Sequence, residues 1–206
     1  MILKDNLETR TRAAAIIQAG GLIAFRTDTF YGLGADPFNR GALRNLLALK
    51  GRGDGKPILL VISDASEVGR FNAGAGKLFD AISARHWPGA LTLVIRARPE
   101  LPEELTARTG TIGLRLPADE EVRELIRACG GALTATSANF AGEPPARTPR
   151  EVARAFPDNL ALIVDGGEAR SHEPSTVLDV SGGEARLVRE GAVSWLKLQE
   201  TIRGAE

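Results

Sequence analysis

The sequence predicts an α/β fold: one domain, residues 1–206, built on an open, twisted, mixed sheet flanked by helices. Three observations lead there. A chain of 206 residues that is 43% hydrophobic and 25% charged has the size and composition of one globular unit with a substantial core. Short apolar runs of strand length interleave with segments of helical periodicity, though not as a strict βαβ repeat. Near the end, Ser181-Gly182-Gly183 separates two strand-like runs as a hairpin turn, which demands antiparallel pairing and so a mixed sheet. Pro and Gly are scattered as short punctuating pairs, and no linker, repeat or low-complexity stretch interrupts the chain.

Taken in order, Leu7 to Ala19 reads as a helix with Ala13, Ala14, Ile16 and Ile17 on its apolar face, ended by Gly20 and Gly21. Leu22 to Phe25 is a buried strand that delivers the polar segment Arg26-Thr27-Asp28-Thr29. Leu43, Leu46 and Leu47 mark a second helix running to about Lys50 and stopped by Gly51. Ile58 to Ile62 is a strand. Leu78, Phe79 and Ile82 mark a helix before Trp87-Pro88-Gly89.

Strands follow at Leu91 to Ile95 and Thr111 to Leu116. Asp119 to Cys129 is amphipathic, with Val122, Leu125, Ile126 and Cys129 on one side. Ala132 to Thr136 is a strand ending in Ser137-Ala138-Asn139. Thr148-Pro149-Arg150-Glu151 has the N-cap, the first-position proline and the third-position glutamate of a capping box, and its helix should stop before Pro157. Leu160 to Val164, Thr176 to Val180 and Ala185 to Val188 are strands, and a last helix carries Trp195, Leu198 and Ile202.

Twenty-six basic and 26 acidic residues leave no net charge, which argues against gripping nucleic acid by bulk electrostatics. A local basic patch is another matter: Arg40, Arg44, Lys50, Arg52 and Lys56 share their window with one acid, Asp54. The lone Cys129 excludes an internal disulfide or a CxxC site, and it sits on the apolar face of a helix, where a core role outweighs a nucleophilic one. The start of the sequence lacks a signal-peptide core and no run has membrane-spanning length, so a soluble, cytoplasmic protein is expected.

The segment Lys50-Gly-Arg52-Gly-Asp54-Gly-Lys56-Pro57 places three cations among glycines that let a backbone turn sharply toward a ligand. It is not a Walker loop, because a helix precedes it, a strand follows it, and proline succeeds the last lysine. It would suit a triphosphate or a departing pyrophosphate, and it would equally suit a solvated charged turn. Thr27-Asp28-Thr29-Phe30-Tyr31-Gly32-Leu33-Gly34 gathers hydroxyls at a strand end, as either a ligand-reading crevice or an ordinary turn. Arg115, inside an apolar strand, must face a polar cleft or meet an internal acid; a ligand carboxylate and a structural ion pair remain open. Ser137-Ala138-Asn139, Ser175-Thr176-Val177 and Arg189-Glu190-Gly191 have plain readings as turns and a strand start.

Two histidines, His86 and His172, supply a metal site poorly, and His86 is expected to end a helix where its charge suits the dipole. Ser137 lacks the G-x-S-x-G elbow. Cations and hydroxyls without a covalent nucleophile fit catalysis by positioning and charge neutralisation.

The run Arg26-Thr27-Asp28-Thr29-Phe30-Tyr31-Gly32-Leu33-Gly34 resembles the P-T-[DE]-T-x-Y-G-L-G signature of the YrdC/TsaC family. Lys50-x-Arg52-x-x-x-Lys56-Pro57 is similar to its K-x-R-x-x-x-[KN]-P motif. Trp87-Pro88-Gly89, Arg115-Leu116-Pro117, Ser137-Ala138-Asn139, Ser175-Thr176-Val177 and Arg189-Glu190-Gly191 follow in the family's order. Arg26 stands where the family pattern has proline, and Ala90 where it has the second proline of P-G-P.

The resemblance implies a YrdC-like sheet with a concave basic groove and the activity of an L-threonylcarbamoyladenylate synthase. Threonylcarbamoyl-AMP and pyrophosphate would form from L-threonine, bicarbonate and ATP. The resemblance assigns catalysis to Lys50, Arg52 and Lys56, ATP to Arg52, Lys56, Ser137, Asn139 and Arg189, and L-threonine to Thr29, Arg115 and Ser175. Magnesium would arrive with the ATP and bridge its phosphates, without a protein metal site.

A threonylcarbamoyl-transferase complex would receive the adenylate for tRNA t6A37 modification, with direct tRNA contact as a further possibility and no membrane partner. The chain would be a stand-alone catalytic domain without the extra C-terminal domain of longer relatives. The competing readings are a noncatalytic YrdC-fold paralogue that binds double-stranded RNA or tRNA, and a carbamoyl-transfer module like that of hydrogenase-maturation proteins.

Overall fold

The computed structural model describes residues 1–51, 56–74, 76–140 and 142–204. Its strands are β1 (Ile2–Lys4), β2 (Ile23–Arg26), β3 (Tyr31–Gly34), β4 (Leu60–Ile62), β5 (Leu91–Arg96), β6 (Thr111–Arg115), β7 (Ala132–Thr134), β8 (Thr136–Ser137), β9 (Leu162–Asp165), β10 (Thr176–Asp179) and β11 (Arg186–Arg189). The helices are α1 (Leu7–Gln18), α2 (Arg40–Leu49), α3 (Lys77–His86), α4 (Glu103–Thr106), α5 (Glu120–Ala128), α6 (Pro149–Ala155) and α7 (Trp195–Arg203).

The mixed sheet flanked by helices is present, divided into two. One sheet runs β1-β9-β2-β3-β8 and the other β11-β10-β5-β6-β4-β7, each with parallel and antiparallel neighbours. The division explains why Ala132 to Thr136 is not one strand. β7 pairs with β4 of the second sheet and β8 with β3 of the first, and the chain changes sheets at Ala135, whose N–H donates to the Leu59 carbonyl at 2.8 Å.

Alternation along β2 and β4 shows how the sheets share their covering layers. Ile23 and Phe25 of β2 and Val61 of β4 face a core made with Ala13 and Ile17 of α1 and Val122, Leu125 and Ile126 of α5. Ala24, Leu60 and Ile62 face the larger core on the opposite side with Leu43 and Leu46 of α2. Strands covered on both faces need continuous apolar sequence, as these have.

Helix ends follow local chemistry. Gly20, at φ +80°, donates to the Ile17 carbonyl while Gly21 donates to Ile16, a Schellman stop for α1. The capping box at Thr148 and Glu151 forms and starts α6. The hairpin turn joins β10 to β11 antiparallel.

Arg26, the departure from the family's proline, is used structurally. Its side chain is buried at the end of β2 and donates to Asp119 at 2.8 Å and Glu121 at 3.2 Å, fastening the N-terminal turn of α5. Gly166 makes room for it, since a Cβ there would lie 2.9 Å from Arg26 Nε. Among the described residues no helix is long and apolar enough to cross a membrane.

Candidate active site

Between β2 and β3 the chain turns through Thr27 to Phe30, with the Thr27 N–H on the Phe30 carbonyl at 3.0 Å. Each threonine hydroxyl has one proton, which fixes the direction of the network here. Thr27 Oγ1 donates to the Phe30 carbonyl at 2.7 Å, so the 3.1 Å contact between the two hydroxyls is Thr29 donating to Thr27. Thr29 Oγ1 is thereby left as an acceptor, and both terminal nitrogens of Arg115 donate to it at 3.2 Å.

Arg115 lies at the end of β6, buried, and also donates to Asp28 Oδ1. The internal acid that the sequence left open is therefore Asp28. The pair is not saturated: Arg115 Nε and Asp28 Oδ2 are both buried without a hydrogen-bond partner among the described residues.

A second arginine reaches the same place. Arg189, the last residue of β11, donates to the Ser175 carbonyl at 2.8 and 3.2 Å and to Ser175 Oγ at 3.3 Å. Ser175 is buried, and its hydroxyl meets Thr92 Oγ1 at 3.0 Å. Burial, and then the Arg115 charge, lower the Arg189 pKa from its ordinary value, so the two guanidiniums are electrostatic neighbours. Among the described residues Arg189 has no carboxylate partner. Arg115 is paired to Asp28, and Arg189 adds positive charge beside that pair, an arrangement that favours an added anion.

Gly191 holds this corner together. A Cβ there would lie 2.2 Å from the Pro174 carbonyl oxygen, so only glycine lets the chain leaving β11 pass over Pro174 and Ser175.

The other half of the site is built around Lys50, the C-cap of α2. It is 5% exposed and donates to the Ser137 carbonyl at 2.7 Å, to Asn139 Oδ1 at 3.2 Å and to the Asn139 carbonyl. Ser137 Oγ donates to Asn139 Oδ1 at 2.6 Å, and Asn139 Nδ2 to the Glu143 carbonyl. Lys56 is exposed, at the start of the segment leading into β4. Arg52 lies outside the described residues.

The structure therefore brings the expected residues together in two groups. Thr29, Arg115, Ser175 and Arg189 form one, and Lys50, Ser137 and Asn139 the other. The segment from Thr27 to Gly32 borders both: Thr29 meets Arg115, while Gly32 pairs with Ser137 and the Tyr31 carbonyl accepts from Ala138 at 2.9 Å. A cavity of about 710 Å³ lies elsewhere, between α3, α7 and the turn after β10, and no expected site residue lines it.

Asp28 and Thr92 were not anticipated as site residues. Asp28 carried a faint signal, an acid at a strand end with an unpartnered strand arginine elsewhere in the sequence; Thr92 carried none.

The residues set aside for the chemistry behave accordingly. Burial pushes the Cys129 thiol up to about 12, and the side chain packs against the core between α1 and α5. His86 ends α3 as expected but does not serve as a cation there. Burial, Arg85 and Lys197 lower its pKa, and its Nε2 pairs with Thr201 Oγ1 at 2.8 Å.

Residues 15–191 match the model of the Sua5, YciO and YrdC proteins, which carries the description telomere recombination. Over 170 residues the chain is 38% identical to the threonylcarbamoyl-AMP synthase of Thiobacillus denitrificans, covering 82% of this chain and 90% of that protein. Over 190 residues it is 32% identical to the threonylcarbamoyl-AMP synthase of Pyrococcus abyssi, covering 92% of this chain and 56% of the other. The solved structure of P. abyssi Sua5 complexed with L-threonine aligns with a TM-score of 0.93 and 30% identity, over 98% of this chain and 61% of that one. The chain thus spans about three fifths of the P. abyssi protein.

Proposed function

The chain belongs to the Sua5/YciO/YrdC family, and from that premise we propose that it is an L-threonylcarbamoyladenylate synthase, a nucleotidyltransferase acting on ATP, L-threonine and bicarbonate, with residues 1–206 working as one unit. The observation that carries the reading is the buried Arg115, paired to Asp28 and Thr29 yet with its Nε–H left without a hydrogen-bond partner among the described residues, a donor suited to one ligand carboxylate.

In this reading Arg115 holds the threonine carboxylate, with Thr29 orienting the guanidinium and Ser175 lining the same pocket. The α-amine, once deprotonated, attacks bicarbonate and water leaves, giving the N-carboxylate. An oxygen of that carbamate then attacks the α-phosphate of ATP, and the bond to the β-phosphate breaks to release pyrophosphate. No side-chain nucleophile is required, so the protein contributes orientation and positive charge.

Arg52, Lys56 and Arg189 neutralise the phosphates, and Ser137 and Asn139 contact the nucleotide. Lys50 acts by fixing the Ser137–Asn139 loop under the phosphates. Magnesium would enter with the nucleotide substrate and lessen the charge on its phosphates. The mixed anhydride would pass to a threonylcarbamoyl-transferase complex and on to tRNA.

The test is pyrophosphate release from ATP by the purified chain. Release is expected only when L-threonine and bicarbonate are both present, with threonylcarbamoyl-AMP identified by mass. Equal release without threonine would overturn the substrate assignment.

A further inference from the structure

Burial leaves two complementary groups unsatisfied on one ion pair. Arg115 Nε–H is a donor without an acceptor, and Asp28 Oδ2 is an acceptor without a donor. The other contacts around them are committed: Asp28 Oδ1 and Thr29 Oγ1 accept from Arg115, and the Thr29 proton is spent on Thr27. An unsatisfied buried polar atom is costly, and the cost is greater for a charged group. Two such atoms of opposite type, on side chains already paired, indicate a place kept for a ligand that carries both a carboxylate and an ammonium.

Resting on the assignment of this pocket to threonine, we propose that Asp28 is the group that reads the amino acid's α-ammonium, through Oδ2, while Arg115 reads its carboxylate. The Asp28–Arg115 contact then does more than satisfy a buried arginine. It sets the spacing between a negative and a positive recognition point, so the site takes an α-amino acid and discriminates against the same carbon skeleton without nitrogen. The ligand carboxylate meets the unpartnered Nε–H of Arg115, while the ligand ammonium meets the free oxygen of Asp28. A purely structural Asp28 would support Arg115 and so affect every carboxylate ligand alike.

The two roles separate by calorimetry on the whole chain with L-threonine and with (R)-3-hydroxybutyrate, its skeleton lacking the amine. Because a charge-assisted hydrogen bond is involved, wild-type protein should prefer threonine by about tenfold to a hundredfold. Asp28→Asn should reduce that ratio to within about threefold, and Asp28→Glu should restore part of it. An unchanged ratio in Asp28→Asn overturns the inference and leaves the proposed function standing. Wild-type protein that binds neither ligand, with or without ATP, overturns the threonine pocket itself.

Should Asp28→Asn fail to fold, the wild-type protein crystallised with L-threonine decides. An α-nitrogen within about 3.2 Å of Asp28 Oδ2 supports the role, and one held by other groups beyond hydrogen-bond reach of Asp28 refutes it.

Discussion

Replacing Lys50 by methionine separates two roles that the basic motif blends together. Methionine keeps the apolar stem and removes the ammonium, which is buried and donates to the Ser137 carbonyl, the Asn139 carbonyl and Asn139 Oδ1. Hydrogen bonds from a charged donor contribute about 1.5–3 kcal/mol each. The three share one cation and one loop, so they do not add, and relief of the ammonium's desolvation offsets part of the loss. A net destabilisation of about 2–4 kcal/mol remains. At about 2–4 °C per kcal/mol for a chain of this size, Tm should fall by roughly 4–16 °C.

The control is Lys56→Met. That lysine is exposed, and an exposed cation contributes within about 0.5 kcal/mol whatever it pairs with. Differential scanning calorimetry and urea titration of both variants give the answer. A Lys50→Met protein that melts with wild type, or a Lys56→Met protein that melts as low as Lys50→Met, would refute the division into an anchoring lysine and a phosphate-facing one.

Two further outcomes follow from the same geometry, and a third, for Arg52, from the proposed function. Gly191→Ala places a methyl 2.2 Å from the Pro174 carbonyl, so the backbone must move, costing about 1–3 kcal/mol; because Ser175 moves with it, KM for threonine should rise in steady-state assays. His86 has a lowered pKa in the folded chain, so as pH falls through the ordinary value of 6.5 the unfolded state takes up the proton first and stability declines. Melting curves between pH 7.5 and 5 should fall more steeply for wild type than for His86→Gln. Arg52→Ala should cut pyrophosphate release about a hundredfold or more while changing stability by less than about 1 kcal/mol, read by turnover and thermal melting together.

Much of the fold was legible because periodicity is a local signal. The helices around Ala13 and Ile17, Leu43 and Leu46, and Val122 and Leu125 sit where their spacing placed them, and the Thr148 capping box forms as written. What escaped was set by distant partners. β1 is three residues long and exists because Ile2 to Lys4 lie beside Ile163 to Asp165. β3 is half glycine, which propensity counts against a strand, yet Gly34 is needed there: a Cβ would lie 2.9 Å from the Phe25 ring. Nothing within Ala132 to Ser137 announces the change of sheets at Ala135, because the reason lies in β3 and β4.

The site was legible in its residues but not in its pairings. Of the two explanations open for the strand arginine, a ligand carboxylate or an internal acid, the structure supplies the acid. Asp28 answers part of the cost of burying Arg115, and Nε and Oδ2 stay without hydrogen-bond partners among the described residues. Sequence separation hid this, since 86 residues lie between Asp28 and Arg115, and each looks complete within its own segment. The same holds for Lys50, which as one letter of a basic motif suggests a phosphate. In place it donates to the carbonyls of Ser137 and Asn139, a pairing across the sequence that nothing in the motif itself announces.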